Sequence, residues 1–383
     1  MSNDLLVWRD QFPILSRTTY LISNSLGAMP RGVPEALGNY TDDWANEGVR
    51  SWETRDWLNL PLKVGNQVAS LLGAPAGSVS THANVTLASA VAASCFDFSG
   101  KRNKIVCSSL NFPSLIYLYR QQERRGARLH LVDSPDGVHV SLEALLEAID
   151  ERTVLVPISH IIFKSAFIQD AQAVVQRAHE VGAKVVLDVY QSAGVVPIDV
   201  TRLEVDFVVG GTLKWLCGGP GVSFLYVKPE FADTLEPTLT GWMSHTKPFA
   251  FDPSPIERST GAGRFMNGTP AIPALFACGP GLKIVNEIGV EAIRANSIRQ
   301  TKYLIDASDK QGWKVNTPRD DGTRGGTVSI MVPDCENVSR ELLARDILID
   351  FRPGAGIRLS PHFYTTNDEM DHAIETIAEI VAG

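Results

Sequence analysis

Short apolar segments rich in β-branched residues alternate along this chain with stretches of helical periodicity. The apolar segments lie at residues 104–109, 128–134, 153–159, 184–189 and 206–211, and turn-forming residues bound each of them. Residues 169–182 lie between two of these segments and repeat apolar side chains at helical spacing as far as Gly182, a typical helix stop. Apolar strands separated by helices are typical of a mostly parallel sheet that is covered on both faces. The pattern predicts an α/β fold whose large domain is built on such a sheet.

The last third of the sequence has a different pattern, which predicts a smaller C-terminal α+β domain. Helical periodicity covers residues 293–310, 338–344 and 370–382, and strand patterns cover residues 326–333 and 346–353. The glycine- and proline-rich stretch 242–273 separates the two patterns. We therefore predict an N-terminal segment (1–50) that contributes to the small domain and the active site, a large domain (51–260) and a small domain (261–383).

Composition limits the classes of function that the chain can have. Its 383 residues are 44% hydrophobic with a net charge of −8, which is ordinary for a globular protein and lacks the basic excess of nucleic-acid binders. The five cysteines are scattered without CxxC spacing, so we expect no disulfide framework, no metal site and a reducing compartment. The N-terminus lacks a signal-peptide pattern, and no apolar stretch reaches membrane-spanning length. We expect a cytoplasmic protein that binds neither nucleic acid nor membranes.

Asp188 and Lys214 are the pair of residues that points most strongly to chemistry. Asp188 ends an apolar predicted strand, where an unpaired carboxylate is costly to bury. Lys214 follows the next predicted strand in the glycine-rich stretch GGTLKWLCGGPG. Open α/β sheets bind ligands at the carboxyl ends of their strands, and a partly buried lysine favours the neutral amine that a Schiff base requires. Singly, Asp188 could be a helix cap and Lys214 a surface residue; together they favour a ligand site.

Pyridoxal phosphate (PLP) would use both residues, because its pyridine nitrogen needs a carboxylate and its aldehyde needs a lysine amine. Its phosphate needs backbone N–H groups, preferably at a helix N-terminus. Ala83 and Asn84 open a predicted apolar helix directly after a polar turn, although this segment on its own favours an ordinary N-cap at Asn84. The sequence therefore indicates PLP as cofactor and an amino-acid-like small molecule as substrate.

The ordered motifs of the chain resemble the class V aminotransferase family of fold-type I PLP enzymes, and within it most resemble bacterial kynureninases. The matching segments are TYLISNSLGAMP (19–30), VRSWETRDW (49–57), NFPS (111–114), DVYQSAGVVPIDV (188–200), TLKWLCGGPG (212–221), LTGWMSH (239–245), RFMNGTPAIPAL (264–275) and GIRLSPHFYTT (356–366). The resemblance covers nearly the whole chain. It implies an enzyme with the type I fold and a homodimer with shared active sites.

The resemblance also implies which residues hold the cofactor. Lys214 would bond to PLP and later move the Cα proton of the substrate, and Asp188 would pair with the pyridinium nitrogen. Phe112 would stack on the ring, unless it is a core aromatic. Trp242 and Thr269 would reach the phosphate from the neighbouring subunit, the alternatives being core packing and a helix cap. The remaining implied cofactor contacts are Ala83, Asn84, Gln191 and Thr212.

On the substrate side, the resemblance implies that Arg358 binds the α-carboxylate. A guanidinium fork holds a carboxylate through two parallel hydrogen bonds, which lysine cannot imitate. The alternative, a surface arginine, fits the apolar run GIRLSP less well. Asn24 and Ser25 line the substrate side in this interpretation, or else form a tight turn before Gly27.

Three positions depart from the kynureninase pattern. Leu115 replaces an aspartate, Gln191 a histidine and Leu213 a tyrosine that is thought to take part in proton transfer. Leucine neither donates nor accepts a proton, so another group must serve or the chemistry differs. Glutamine forms hydrogen bonds but does not titrate.

A second related group, the cysteine desulfurases and selenocysteine lyases, needs a nucleophilic cysteine on the loop before the carboxylate-binding arginine. Here that loop (350–356) has no cysteine, although it carries Arg352 as a second candidate anion contact. The leading hypothesis is therefore a kynureninase-like hydrolase or lyase that cleaves a bond at the β-carbon of an amino acid. The alternatives are an aminotransferase or racemase, and a catalytically degenerate PLP-binding protein.

Overall fold

The strands of the chain form one large sheet and two small ones. The computed structural model describes residues 4–383. Within them the strands are β1 (Thr19–Tyr20), β2 (Val79–His82), β3 (Lys104–Ser108), β4 (Arg128–Val132), β5 (Thr153–Ser159), β6 (Lys184–Asp188), β7 (Phe207–Gly211), β8 (Ser223–Val227), β9 (Lys314–Val315), β10 (Val328–Met331), β11 (Ile347–Leu348), β12 (Asp350–Arg352) and β13 (Gly356–Leu359).

Helices connect these strands and cover the sheets. The α-helices are α1 (Val33–Glu47), α2 (Ser51–Thr54), α3 (Leu60–Leu71), α4 (Val85–Ser94), α5 (Pro113–Gln121), α6 (Leu142–Ala148), α7 (Ala171–Glu180), α8 (Val200–Leu203), α9 (Pro229–Ala232), α10 (Ile272–Ile288), α11 (Val290–Lys310), α12 (Cys335–Ala344) and α13 (Asn367–Ala382). Short 3-10 helices cover Asp4–Gln11, Pro13–Ser16, Gly48–Arg50, Gln122–Arg125, Trp242–Ser244, Pro248–Ala250 and Gly261–Phe265. Among the described residues, no helix is both long enough and apolar enough to cross a membrane.

The large sheet contains all of the strands that the apolar segments predict. Its seven strands lie in the order β2-β8-β7-β6-β5-β3-β4, and only β8 runs antiparallel to its neighbours. Successive side chains of a strand point to opposite faces, and here both faces are buried. On β6, Val185 and Leu187 join one hydrophobic cluster while Val186 joins another. Burial on both faces is why these strands show no apolar–polar alternation, and the predicted α/β fold is confirmed.

The C-terminal unit is a four-stranded antiparallel sheet in the order β12-β13-β10-β9, backed by α11, α12 and α13. The strand predicted over residues 346–353 is two short strands. Residues of β11 pair in parallel with β1 near the N-terminus, whereas β12 pairs with β13. The single apolar run divides because its two halves hydrogen-bond to different partners.

The helix α10 lies between the predicted domains. Its residues fall within the predicted small domain (261–383), yet it packs against α1 and α3, and its Leu275, Leu282 and Val285 belong to a hydrophobic cluster of the large sheet. The N-terminal segment contacts both units, since Phe12 packs in that same cluster and Leu21 packs in the cluster of the C-terminal sheet. The division at residues 50 and 260 stays a prediction.

Candidate active site

The neighbouring parallel strands β6 and β7 end at the same edge of the large sheet and bring Asp188 and Lys214 together. Asp188 is the last residue of β6, and Lys214 lies in the loop that follows β7. The two groups are close enough for each charge to act on the pKa of the other. The pair predicted from the sequence therefore converges at the edge where open α/β sheets bind ligands.

Asp188 is a buried carboxylate with few partners. Its side chain is 7% exposed, and Oδ1 accepts a hydrogen bond from the backbone N–H of Tyr190 at 2.9 Å. Burial raises the pKa of Asp188 to about 6, although the Tyr190 N–H, the charge of Lys214 and the Ser159 hydroxyl oppose that rise. A carboxylate in this position gains from a further cationic partner.

The amine of Lys214 lies between two aromatic rings. Its Nζ is 4.5 Å from the ring centroid of Tyr190 and 5.7 Å from that of Phe112. Burial is the main cause that lowers the pKa of Lys214 to about 8. Arg358 lowers this pKa further, while the negative charge of Asp188 raises it. A substantial fraction of neutral amine is therefore available near neutral pH, as a nucleophilic lysine requires.

Close backbone contacts fix the loop that carries Lys214. The N–H of Gly27 donates to the carbonyl of Leu213 at 2.9 Å, and a Cβ at Gly27 would lie 2.1 Å from the carbonyl oxygen of Lys214. Only glycine permits this approach. The hydroxyl of Thr212 donates to the carbonyls of Gly219 and Val222, both at 3.2 Å, so it closes the loop from inside. Its predicted contact with the cofactor stays a prediction.

Gln191 and Asn24 join the loop to the N-terminal segment. Gln191 donates from Nε2 to the backbone carbonyl of Asn24 at 3.1 Å and accepts from the indole N–H of Trp215 at 3.2 Å. The Asn24 side chain is 1% exposed, and neither its nitrogen nor its oxygen has a hydrogen-bond partner among the described residues. Buried amides are normally satisfied, so an unsatisfied one next to the Gln191 contact indicates a place for a polar ligand.

The predicted phosphate contacts lie around the N-terminus of α4. The side chain of Asn84 caps this helix by accepting the N–H of Leu87 at 3.0 Å, so the predicted N-cap exists. Ala83 and Thr269 line one cleft, together with Gly221. Helix N-termini bind anions through free N–H groups and the helix dipole, and this cleft has the chemistry that a phosphate needs.

The predicted aromatic contacts differ in their surroundings. Phe112 is 42% exposed and meets the ring of Phe163 edge-on at 5.3 Å, so it is not a core residue. Trp242 packs against Trp52 at 6.2 Å and nearly parallel to Phe251 at 6.3 Å. Phe112 is therefore free to cover a planar ligand beside Lys214, whereas Trp242 lies in its own aromatic cluster.

Arg358 is buried on β13 and paired with an acidic residue that sequence reasoning missed. Its Nε donates to Oδ1 of Asp350 at 2.7 Å, and its Nη2 donates to Oδ2 of the same carboxylate. Its Nη1 donates to the carbonyl of Phe163 at 2.6 Å, and its Nη2 also approaches the Ser25 hydroxyl at 3.3 Å. The predicted alternative of a surface arginine is wrong, because Arg358 is 2% exposed.

Three residues of the site were not identified from the sequence: Tyr190, Phe163 and Asp350. Tyr190 and Asp350 lie within segments that carry other predicted residues, and Phe163 follows the end of β5. A signal for Asp350 exists in the hairpin around Pro353–Gly354. When residue pairs are counted outward from that turn along the two strands, Asp350 falls opposite Arg358, and the structure has the same register.

The histidines His82, His160 and His245 have structural partners. His82 contacts the Ser80 hydroxyl at 3.0 Å, and His160 contacts that of Ser192 at 3.0 Å. Burial lowers the pKa of each of these two histidines to about 4, so both are neutral near pH 7. His245 accepts the N–H of Lys247 at 2.8 Å. Within residues 4–383, no group of three or more potential ligands is arranged to hold a metal ion.

The arrangement fits PLP. Its pyridine nitrogen requires a buried carboxylate and its aldehyde a lysine amine, and Asp188 and Lys214 lie at one edge. The exposed ring of Phe112 and the unsatisfied amide of Asn24 add an aromatic face and polar contacts.

Comparisons with known proteins agree with this fit. A model of the family described as aminotransferase class-V matches residues 19–371. The kynureninase of Pseudomonas fluorescens is 32% identical over 388 residues, which cover 97% of this chain and 91% of the relative. A cysteine desulfurase from Thermococcus onnurineus NA1 superposes with a TM-score of 0.85 at 22% identity, covering 98% of this chain and 97% of that chain. A variant of C-DES, with glycine covalently linked to its PLP cofactor, superposes with a TM-score of 0.87 at 20% identity, covering 97% and 99%.

The family match extends over most of the chain and includes both the sheet edge and Arg358. This family uses PLP, so PLP is the cofactor of this chain and the predicted cofactor is confirmed. The solved structures confirm the type I fold. The protein therefore belongs to the class-V aminotransferase family, as its ordered motifs predict, and is a PLP-dependent enzyme.

Proposed function

We propose that this enzyme cleaves a bond at the β-carbon of an amino acid, as a hydrolase or lyase of the kynureninase kind. The observation that carries the proposal is the convergence of Lys214, Asp188 and Arg358 around one site. The relatives at 30–32% identity are kynureninases and match 97% of the chain, which supports this reaction class.

Each of these residues has a role that follows from its surroundings. When bound, PLP supplies an electron sink for the bond-breaking steps. Arg358 binds the α-carboxylate of the substrate, and the neutral amine of Lys214 accepts the Cα proton. Asp188 keeps a proton on the ring nitrogen, because a buried carboxylate stabilises the cation beside it. Phe112 covers one face of the ring, Gln191 contacts the cofactor, and Asn24 and Ser25 line the substrate side.

An aminotransferase is the second candidate, and Leu213 favours it. Leu213 carries no proton to transfer to a leaving group, whereas transamination needs proton movement only at the amine of Lys214. The ring centroid of Tyr190 lies 4.5 Å from that amine, and burial raises the pKa of the Tyr190 phenol to about 12, so it stays protonated. Tyr190 is therefore the proton donor that β-carbon cleavage would use in this chain.

We also propose a cytoplasmic homodimer. Within one chain, Thr269 already lines the phosphate cleft beside Ala83, so the shared site depends on Trp242 of one subunit reaching the phosphate cleft of the other. Light scattering on the purified protein measures the mass, for which a dimer is expected. A monomer with full activity would contradict the shared site.

The reaction is tested by incubating the PLP-loaded enzyme with a panel of amino acids that includes kynurenine and 3-hydroxykynurenine. Hydrolysis of kynurenine consumes one water and yields alanine with the aromatic acid, both detectable by mass spectrometry. Transamination instead converts the cofactor to its amine form and the substrate to an oxo acid.

The control is Lys214→Ala, which should abolish both the covalent attachment of PLP and turnover, with a loss of at least about 1,000-fold. Attachment is read by borohydride trapping and peptide mass spectrometry. Product formation that survives this substitution would overturn the role of Lys214. Accumulation of the amine form of the cofactor, without cleavage of the substrate, would identify the enzyme as an aminotransferase.

A further inference from the structure

The carboxylate of Asp350 already accepts hydrogen bonds from the N–H groups of Arg358 that would bind a substrate carboxylate. Asp350 and Arg358 are directly opposite in the β12–β13 ladder, where side chains on one face are close neighbours. The contact is bidentate, from Nε to Oδ1 at 2.7 Å and from Nη2 to Oδ2. The side chains of this pair are almost fully buried, with 8% of that of Asp350 and 3% of that of Arg358 exposed. Water therefore competes little for this pair.

The other donors of Arg358 are largely engaged as well. A guanidinium has five N–H groups. Beyond the pair with Asp350, one N–H on Nη1 donates to the Phe163 carbonyl at 2.6 Å, and one on Nη2 approaches the Ser25 hydroxyl at 3.3 Å. A second carboxylate therefore has no two parallel N–H groups on Arg358 as long as Asp350 keeps its place.

Asp350 has other partners to which it can turn. Its Oδ2 accepts a hydrogen bond from the hydroxyl of Ser25. The same oxygen lies 3.2 Å from Nη2 of Arg352, whose side chain is half-exposed. Burial alone would raise the pKa of Asp350, but its hydrogen bonds to Arg358 and the charges of both arginines outweigh burial and lower it. Asp350 therefore stays ionised, and one carboxylate is shared by two arginines.

We propose that Asp350 occupies Arg358 when no substrate is bound, and that the substrate binds by displacing the Asp350 carboxylate with its own. The α-carboxylate of the substrate then accepts the hydrogen bonds of the Arg358 guanidinium, and Asp350 pairs with Arg352 and Ser25 instead. The proposal rests on the function proposed above, in which Arg358 receives the substrate. Asp350 and Arg352 are then residues that determine specificity. A ligand without a full carboxylate gains nothing by displacing Asp350, so the exchange selects amino acids over their amides and amines.

Two substitutions with opposite expected signs test the exchange. Asp350→Asn has the same size but no charge and only one acceptor oxygen, so it competes less for Arg358. Arg352→Gln removes the group that receives the displaced carboxylate. The ligand is an α-methyl amino acid, which has no Cα proton to lose, and its binding is followed through the absorbance of the PLP-loaded enzyme. The dissociation constant should fall about 10-fold in Asp350→Asn and rise in Arg352→Gln.

The controls separate competition from loss of structure. Asp309→Asn removes the acidic partner of the exposed Arg319 and should leave the dissociation constant unchanged. The amide of the same amino acid should bind wild type and Asp350→Asn equally. Weaker binding in Asp350→Asn would show that Asp350 only positions Arg358, and would overturn the exchange. If Asp350→Asn does not fold, unchanged or tighter binding in Arg352→Gln overturns it.

The proposed function fails in a different way. If no amino acid changes the PLP absorbance of wild type or of either variant, Arg358 does not receive a substrate carboxylate, and both proposals are wrong. If wild type responds to amino acids and Asp350→Asn binds no more tightly, the exchange alone is wrong.

Discussion

Two buried pairs of opposite charge flank this site and differ in what burial does to them. At the edge of the large sheet, burial moves both partners toward the neutral form, raising the pKa of Asp188 to about 6 and lowering that of Lys214 to about 8. On the C-terminal sheet, direct hydrogen bonds between Arg358 and Asp350 outweigh burial and lower the pKa of the carboxyl group.

This difference suits the two pairs to different roles. A pair with pKa values on either side of neutrality can gain and lose protons during a reaction. A pair whose charges are fixed by two parallel hydrogen bonds can only recognise another charge. In the function proposed above, proton transfer therefore belongs to the large sheet, and recognition of the substrate belongs to the C-terminal sheet.

The strongest test of this comparison is Asp188→Asn. An uncharged amide cannot stabilise a proton on the ring nitrogen, so kcat should fall by about 100-fold or more. The dissociation constant of an α-methyl amino acid should change little, because Arg358 is untouched. Steady-state kinetics and spectral titration measure the two effects. A variant that loses binding but keeps kcat would reverse the assignment.

Arg358→Gln should produce the converse effect, of somewhat smaller size. Loss of the charged hydrogen bonds should raise KM by about 30-fold, with PLP still bound covalently to Lys214. Arg319→Gln, which removes an exposed arginine of the C-terminal unit, serves as the matched control and should leave KM unchanged. Loss of covalent PLP in Arg358→Gln would mean that the two pairs are not separate.

The pH dependence of PLP capture reports on the charges around Lys214. Only the neutral amine attacks the aldehyde, so the rate of capture by the cofactor-free protein should rise with pH around a midpoint of about 8. Asp188 raises the pKa of Lys214, so Asp188→Asn should move the midpoint down. Arg358 lowers that pKa, so Arg358→Gln should move it up. Stopped-flow absorbance measures these rates, and a midpoint near 10 would contradict the buried amine.

The smallest expected effect is that of Phe112→Ala. Loss of one stacked ring should weaken PLP binding by about 5-fold, without any change in the pH midpoint. Trp44→Ala removes another exposed aromatic side chain and should have no effect. Equilibrium dialysis measures the affinity. Equal effects of the two substitutions on PLP affinity would show that Phe112 does not stack on the cofactor.

The sequence predicted the large sheet well for a physical reason. Strands buried on both faces must be apolar throughout, and a charged residue at the end of such a strand stands out. Asp188 and Lys214 were found in this way, because strand ends at one edge of a parallel sheet converge without any further information. The C-terminal unit was less predictable, since residues 346–353 read as one strand although their halves pair with different partners.

The family, the cofactor and the edge of the sheet that carries Lys214 follow from the sequence alone, because they depend on ordered local motifs and on strand ends. Only the tertiary structure decided what surrounds Arg358. Its partners Ser25 and Phe163 are 333 and 195 residues away along the chain, and its pairing with Asp350 depends on the register of one hairpin. The contacts with Ser25 and Phe163 are set by how distant segments pack, and no local pattern of residues records them, whereas the turn of the hairpin does give a signal for Asp350.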